Sequence, residues 1–387
     1  MRAGTRVSKR FVAATGLASV LVAGGIASGL AAGCGGSSGN GGGGGASGDP
    51  TCGAAAQPPC STGGPTKIAS AHNYAVHQLF LGDTDPDGTP DATNGWTHYG
   101  YDIDGKDTTS ASTDVCRLVT GAVARTQQDG PNGLDNSFGA NLLPQIAELA
   151  PNPSSAVNAS IAQGHFTVMT DVTGFDDSAG NTTSATGLTG VVLAGSDISA
   201  SGAPVFAPSF GWPVRPELLD CFPNCGGVTN PAAHSTVQLT GAYQSGGTFV
   251  SGAPTQLDLS LTIAGQPLQL TVHAAVITFQ PQSPGHVTNG IISGAIATQD
   301  FVNAIHDVVG FFLNGSLCSG TALVGIENEI AQASDVIVNG NTVTNAPGTT
   351  CNGISVGLGF TADEIAPPTT VGPVSPGGTN PCNDNGS

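Results

Sequence analysis

The chain is 387 residues long and carries 27 acidic residues against nine Lys and Arg, a formal net charge of −18. Charged residues make up only 9% of it, and no Lys or Arg follows Arg215. A chain with so small a basic footprint cannot neutralise a phosphate backbone, which excludes nucleic-acid binding, and anionic lipid headgroups would repel it.

From the start, Arg2, Arg6, Lys9 and Arg10 come without an acid, and residues 11–33 run apolar and small without a charge. A basic segment, an apolar segment and a small-residue exit are the parts of a secretory signal, here residues 1–33. By length alone the same run would also span a membrane as an uncleaved helix. The exit, Leu30-Ala31-Ala32-Gly33-Cys34, resembles the bacterial lipobox, with its Leu one place further from the Cys than usual. The resemblance implies cleavage before Cys34, lipid on Cys34, and a membrane partner reached through that lipid. Gly35 and Gly36 follow, with no Asp to suggest retention in an inner membrane, so resemblance to Gram-negative lipoproteins implies the outer membrane, facing the periplasm or the cell surface. Loss of residues 1–33 leaves five basic residues against 27 acids, a net −22.

Residues 35–48 are almost entirely Gly, Ser and Ala, and the chain stays rich in Gly, Pro and Ser to about residue 65, so residues 34–65 read as a flexible tether. Residues 367–387, again Pro, Gly, Thr and Asn, read as a flexible tail. Residues 66–366 between them can bury a large core as one domain or two intimate ones. Along this stretch a short helix is expected around residues 141–149, and strands at residues 166–172, 191–193 and 291–292. Leu257, Leu259, Leu261 and Ile263 alternate with polar residues, as do Leu268, Leu270, Val272 and Ala274 beyond a Gly turn, which predicts a hairpin with one buried face. Ile354, Val356, Leu358 and Phe360 alternate with Ser355, Gly357 and Gly359 in the same way. Apolar residues at three- and four-residue steps predict helices near 300–313 and 321–338, the second closed by Asn339-Gly340. The expected fold is mainly β, a β-sandwich-like core with a C-terminal helical hairpin.

With Cys34 spent on lipid, eight cysteines remain: Cys52, Cys60, Cys116, Cys221, Cys225, Cys318, Cys351 and Cys382. An even number in an oxidising compartment predicts disulfides, and proximity favours Cys52–Cys60 and Cys221–Cys225. The alternative, zinc, lacks the paired short spacings of zinc ribbons and fingers.

The densest acidic segment is Asp83-Thr84-Asp85-Pro86-Asp87-Gly88-Thr89-Pro90-Asp91-Ala92-Thr93-Asn94. Alternate carboxylates in a tight coil suit the six to eight oxygens that Ca2+ takes, and Gly allows the sharp turn. Asp83, Asp85, Asp87, Asp91 and Asn94 follow the spacing of a thrombospondin type 3 repeat, which the segment resembles; a solvated acidic turn is the other reading. Asp102, Asp104, Asp129 and Asp135 follow nearby and could hold a further ion or form ordinary Asx-turns. Gly82-Asp83-Thr84-Asp85, the run from Tyr101 to Lys106, Thr113-Asp114-Val115-Cys116, the run from Asp135 to Gly139, that from Trp212 to Leu219 and that from Ile354 to Phe360 are similar to a set of uncharacterised lipoproteins of myxobacterial type. That resemblance implies an envelope location and carries no activity.

No H-E-x-x-H occurs. The eight His, at 72, 77, 98, 165, 234, 273, 286 and 306, are scattered and read as surface or satisfied core residues. Trp96, Tyr99 and Tyr101 could form a sugar-stacking platform or simply pack. The expected function is therefore a calcium-stabilised binding or structural module of the cell envelope, its ligand an envelope polysaccharide or protein. The alternative is a carbohydrate-active or other hydrolase with a site built from acidic loops. Replacing Cys34 by Ala should leave an unprocessed precursor or release the protein from the membrane fraction; an intact mass showing an unmodified thiol at Cys34 in the wild type would overturn the anchor.

Overall fold

Period-two alternation gives the strands of the main sheet an apolar face that turns inward on a closed wall. The strands are β1 (Ala71–Phe80), β2 (Val168–Thr173), β3 (Ala185–Ala194), β4 (Val237–Ser245), β5 (Thr248–Val250), β6 (Thr255–Ile263), β7 (Gln266–Ser283), β8 (His286–Ala297), β9 (Ile337–Asn339), β10 (Thr342–Thr344) and β11 (Gly353–Glu364). The helices are α1 (Leu143–Leu149), α2 (Pro153–Ala162), α3 (Thr298–Val309) and α4 (Thr321–Gln332). They come from a computed structural model that describes residues 52–64, 68–149, 151–263, 266–309 and 319–373. The signal segment, Cys34, most of the tether, Cys318, Cys382 and the end of the tail lie outside the described residues.

The main sheet runs β5-β4-β3-β2-β1-β11-β8-β7-β6, with β5 also paired to β7. Every pairing in it is antiparallel, and the ring follows chain order. The result is a closed eight-stranded barrel, not the expected sandwich. The reason lies in β7, which is 18 residues long. Its first part pairs with β6, and Thr278 and Phe279 further on pair with Val250 and Phe249 of β5. The Phe249 and Phe279 rings stack at 4.5 Å across that closure. Closure gives each strand of the ring two neighbours and leaves β6, paired only with β7, outside it. The alternation read from the sequence is the same in either architecture, because it reports faces and not the path of the sheet.

Eight strands leave an interior just wide enough for side chains to fill. Tyr74, Val76, Val168, Ile277, Phe279, Val287, Ile292 and Phe360 fill it here, around a residual void of only about 10 Å³. The barrel interior is therefore a packed core. α2 packs on β1 and β6, and α3 on β7 and β8. Phe138, Leu142, Val157, Ile161, Phe301 and Ile330 of the helical segments join the same core as the barrel interior. A second cluster, on the outside of β2 and β3, gathers Met169, Leu193, Trp212 and Val214.

The expected helical pair is present as α3 and α4, but α4 stops at Gln332 and not at 338. Val336 turns into the core and bridges Gly353, and Ile337 opens β9. Asn339 pairs with Thr342 around Gly340, whose φ of 58° suits a tight hairpin turn. The Asn-Gly pair is thus a hairpin signal and not a helix end. The last part of the expected tether is also held in place: Tyr243 donates to the Pro59 carbonyl at 2.6 Å, and Asp102 N–H to that of Ala56 at 2.8 Å. The start of the expected tail is pinned likewise, Val371 bridging Val214.

Three disulfides are present among the described residues: Cys52–Cys60, Cys221–Cys225 and Cys116–Cys351. The third closes 235 residues of chain, so it constrains the unfolded ensemble far more than a bridge across four residues. Cys116→Ser with Cys351→Ser should cost about 2–4 kcal/mol in urea unfolding. Cys221→Ser with Cys225→Ser should cost less; the reverse ranking would show that the long bridge does not act through loop closure.

Candidate metal centre

Both faces of β11 are buried. Its inward residues fill the barrel, and its outward residues are Ser355, Gly357 and Gly359. A Cβ on Gly357 would sit 2.2 Å from the Tyr99 carbonyl oxygen, and one on Gly359 would sit 2.1 Å from the Tyr99 ring. Only bare backbone lets the 95–101 segment lie this close. Asn136 locks the contact: its amide nitrogen donates to the carbonyls of Trp96, Tyr99 and Gly357, each at 3.1 Å. Its amide oxygen accepts from Gly139 N–H at 3.0 Å and Gly357 N–H at 3.1 Å. Tyr99 stacks on Phe80 and donates to the Thr84 carbonyl at 3.1 Å.

This docking carries Asp102, Asp104, Asp129 and Asp135 onto the wall beside Asp335. One oxygen from each of Asp102, Asp104 and Asp135 lies within 4.8 Å of the others. Asp135 is 1% exposed; its Oδ2 accepts from Ile103 N–H at 2.8 Å, and its Oδ1 is buried without a hydrogen-bond partner. Asp104 Oδ1 accepts from Lys106 N–H at 2.9 Å, while Oδ2 is buried without a hydrogen bond of good geometry, the Asn345 side chain lying beside it. Asp129 Oδ2 accepts from Thr108 N–H at 2.5 Å. Asp335 is 5% exposed and accepts from Ser355 N–H at 2.8 Å and Ser355 Oγ at 2.5 Å. Ser355 Oγ in turn accepts from Ser137 N–H at 2.7 Å.

Burial first, and mutual repulsion second, push these carboxyls up: Asp104 to about 6, Asp129 to about 7 and Asp335 to about 8. Asp135 lies well above the carboxylate range for the same reasons, with Asp104, Asp129 and Asp335 as its charged neighbours. Asp102 is raised too, by burial, against hydrogen bonds from Gly105, Gln57 and Lys106. The Lys106 ammonium, bonded to Asp114 at 2.9 Å, offsets the charge on Asp104 only in part. Such a group needs either protons or a cation. Hard carboxylate oxygens converging with one unpartnered lone pair match the ligand chemistry of Ca2+.

The 83–94 segment is arranged differently. Asp83 binds the start of α2, accepting from Ser154 N–H at 3.2 Å and from the Ser154 hydroxyl. Asp85 faces His98 Nε2 at 3.2 Å. Asp87 accepts from Thr89 N–H at 2.9 Å, and Asp91 from Thr93 N–H at 3.0 Å and Asn94 N–H at 2.9 Å, both as Asx-turns. Among the described residues, Asp83, Asp85, Asp87 and Asp91 do not join any group of three ligand atoms within 4.8 Å. Asn94 gives its backbone carbonyl to Thr97.

Asp129 also lines an open cleft of about 510 Å³, with Trp96, Arg125, Gln128 and Asn141 around it. Of the three aromatic residues expected to share a platform, Trp96 is half-buried on this cleft. Tyr99 is buried under the loop, and the Tyr101 hydroxyl bonds that of Thr278 at 2.6 Å. Sequence reasoning missed Asp335, which stands in a stretch read as helix. It also missed the histidines: all eight lie within 4 Å of a carboxylate, and two His-carboxylate groups share the end of β11. Only the neighbouring Asp363 and Glu364, on a strand read as ending before them, offered a hint. Comparison with protein-family models, curated proteins and solved structures returns no match.

Raised carboxyl values link stability to pH. In the unfolded chain these groups lose their protons near 3.9; in the fold they keep them to about 6, 7 and 8. Their contribution is complete below the unfolded value and is lost as pH rises through the folded ones, at about 1.4 kcal/mol per pH unit for each carboxyl still protonated. Metal-free protein should therefore grow less stable to urea from pH 5 to 8. Saturating calcium should flatten or reverse that slope, and equal slopes with and without calcium would sink the metal centre.

Proposed function

We propose that this chain is a lipid-anchored protein of the bacterial cell envelope, similar to lipoproteins of myxobacterial type, whose barrel is a calcium-stabilised binding module. The observation that carries the calcium part is the buried, unpartnered Asp135 Oδ1 inside a group of carboxylates whose charge Lys106 offsets only at Asp104. The ion sits at Asp102, Asp104 and Asp135, with Asp129 close by, and ties the loops over β11 to the barrel. The lipobox-like exit at Cys34 supports the anchor. The cleft beside the centre supports a polysaccharide ligand. It offers the Trp96 ring for stacking and the Arg125, Gln128 and Asn141 side chains for hydrogen bonding. Asp129 joins the two, so loading the ion would order the cleft.

A second reading rests on the same residue. A carboxyl held protonated to about 7 on a cleft wall is poised as a general acid, as a glycoside hydrolase requires. The two readings differ in outcome. In a calcium-dependent binding module, envelope polysaccharide quenches Trp96 without being cleaved; Trp212 is fully buried and contributes no change. In a hydrolase the polysaccharide is cut, and Asp129→Asn abolishes cleavage while binding survives.

Calorimetry of the mature chain tests the metal itself. Calcium should bind and raise the melting temperature, by about 2.7 kcal/mol of stabilisation at a hundredfold excess over Kd. Magnesium should do much less, because it gives up water reluctantly. Asp135→Asn should erase the response and Asp85→Ala should leave it; the opposite result moves the ion to residues 83–94, and no heat with either ion ends the calcium reading.

A further inference from the structure

We propose a second metal site, for a borderline first-row dication such as Zn2+, formed by His77, His286 and Asp363 on the outer wall of the barrel. It goes beyond the calcium reading and does not depend on it. One ligand atom from each of the three residues lies within 4.8 Å of the other two. His77 Nδ1 is 2.8 Å from Asp363 Oδ2, and His286 Nδ1 contacts Asp363 Oδ1. The two imidazole centroids are 6.0 Å apart.

The fold builds this meeting from three strands. Asp363 follows Ala362, whose side chain is inside the barrel, so alternation turns the carboxylate outward. His286 is its direct cross-strand partner on β8, and precedes the inward Val287. On the other side β1 carries a bulge between Val76, opposite Ala362, and Gln78, opposite Thr361. His77 is the extra residue of that bulge, a device that aims side chains at sites. Phe206 covers one flank of His77, at 5.7 Å between rings.

His286 hydrogen-bonds Asp363, and two further features point beyond that pair to an ion site. His77 Nδ1 is buried yet makes no hydrogen bond of acceptable geometry, although Asp363 is beside it. That nitrogen is placed near the carboxylate without being aimed as its donor, as two ligands of one ion are. The ligand set is also chemically selective. Two imidazoles and one carboxylate suit zinc or iron(II), where calcium takes oxygens. The side chains are 25–28% exposed, so solvent can supply the remaining ligands. Two other groups fit less well. Asp220, Cys221 and His234 lose their sulfur to the Cys221–Cys225 bond. His72, Asp177 and Glu364, at the neighbouring position of β11, offer a single imidazole.

The test uses the mature chain, unreduced and saturated with calcium, titrated with Zn2+ in a calorimeter and with Co2+ by visible absorption. One saturable site per chain at micromolar metal is expected, with Co2+ bands of nitrogen and oxygen ligation. His286→Asn and Asp363→Asn should each weaken binding at least tenfold while the melting curve without zinc stays in place. His77→Gln should do the same, and His72→Asn should change affinity less than twofold. No saturable uptake in the wild type, affinity unmoved by His286→Asn and His77→Gln together, or loss only in His72→Asn would each overturn the proposal.

Discussion

The contact on which this protein's organisation rests is the one between the outward face of β11 and the loop that lies on it. A barrel wall normally presents side chains to its surroundings; at Gly357 and Gly359 it presents backbone, and Tyr99 fills the room that two Cβ atoms would have taken. Once the 95–101 segment is seated there, Asn136 has five hydrogen-bond partners within reach and joins three pieces of chain distant in sequence. The acidic residues on either side of that seat then have no choice of position. Asp135 precedes Asn136 directly, and Asp102 and Asp104 follow Tyr101, which is itself tied to β7 and β8 through Thr278 and Ser293.

The same docking sets the electrostatic problem. Carboxylates gathered under a loop lose solvation and repel one another, and in a chain this short of Lys and Arg no cationic side chain but Lys106, beside Asp104, is available to offset it. Protons or an ion must, which is why packing, pH and metal are one question in this region and not three. The histidines answer a milder version of the same shortage. Each of the eight stands within 4 Å of a carboxylate, most of them partly exposed, where a single pair contributes little. The pairs matter more for where they concentrate. At Asp363 and Glu364, consecutive residues of one strand, the first meets His77 and His286 and the second meets His72.

The barrel interior is closely packed. Its aromatic packing, from Tyr74 through Phe175, Phe279 and Phe249, leaves almost no void, and the helices cover more of the same core. The candidate sites lie on the outer wall and its loops, which a packed scaffold holds in register.

Read alone, the sequence determined a good deal. Period-two runs at Leu257–Ile263 and Ile354–Phe360 located strands and their buried faces, because alternation is a local property of the pleat. Neighbouring cysteines at 52 and 60, and at 221 and 225, found their partners because a few residues of chain cannot carry them far apart. Tertiary structure decided the rest. Whether the sheet closes depends on β7 reaching β5, and Cys116 meets Cys351 across 235 residues. Which acids converge depends on the path of a loop over a strand. The densest run, 83–94, spends its carboxylates on its own turns, on Ser154 and on His98. Asp335, which no acidic motif marks, is carried into the cluster by the turn after α4. Spacing along a chain fixes which side chains are neighbours in a turn; convergence of charges from five places needs the fold, because it is set by packing between segments that the sequence does not place side by side.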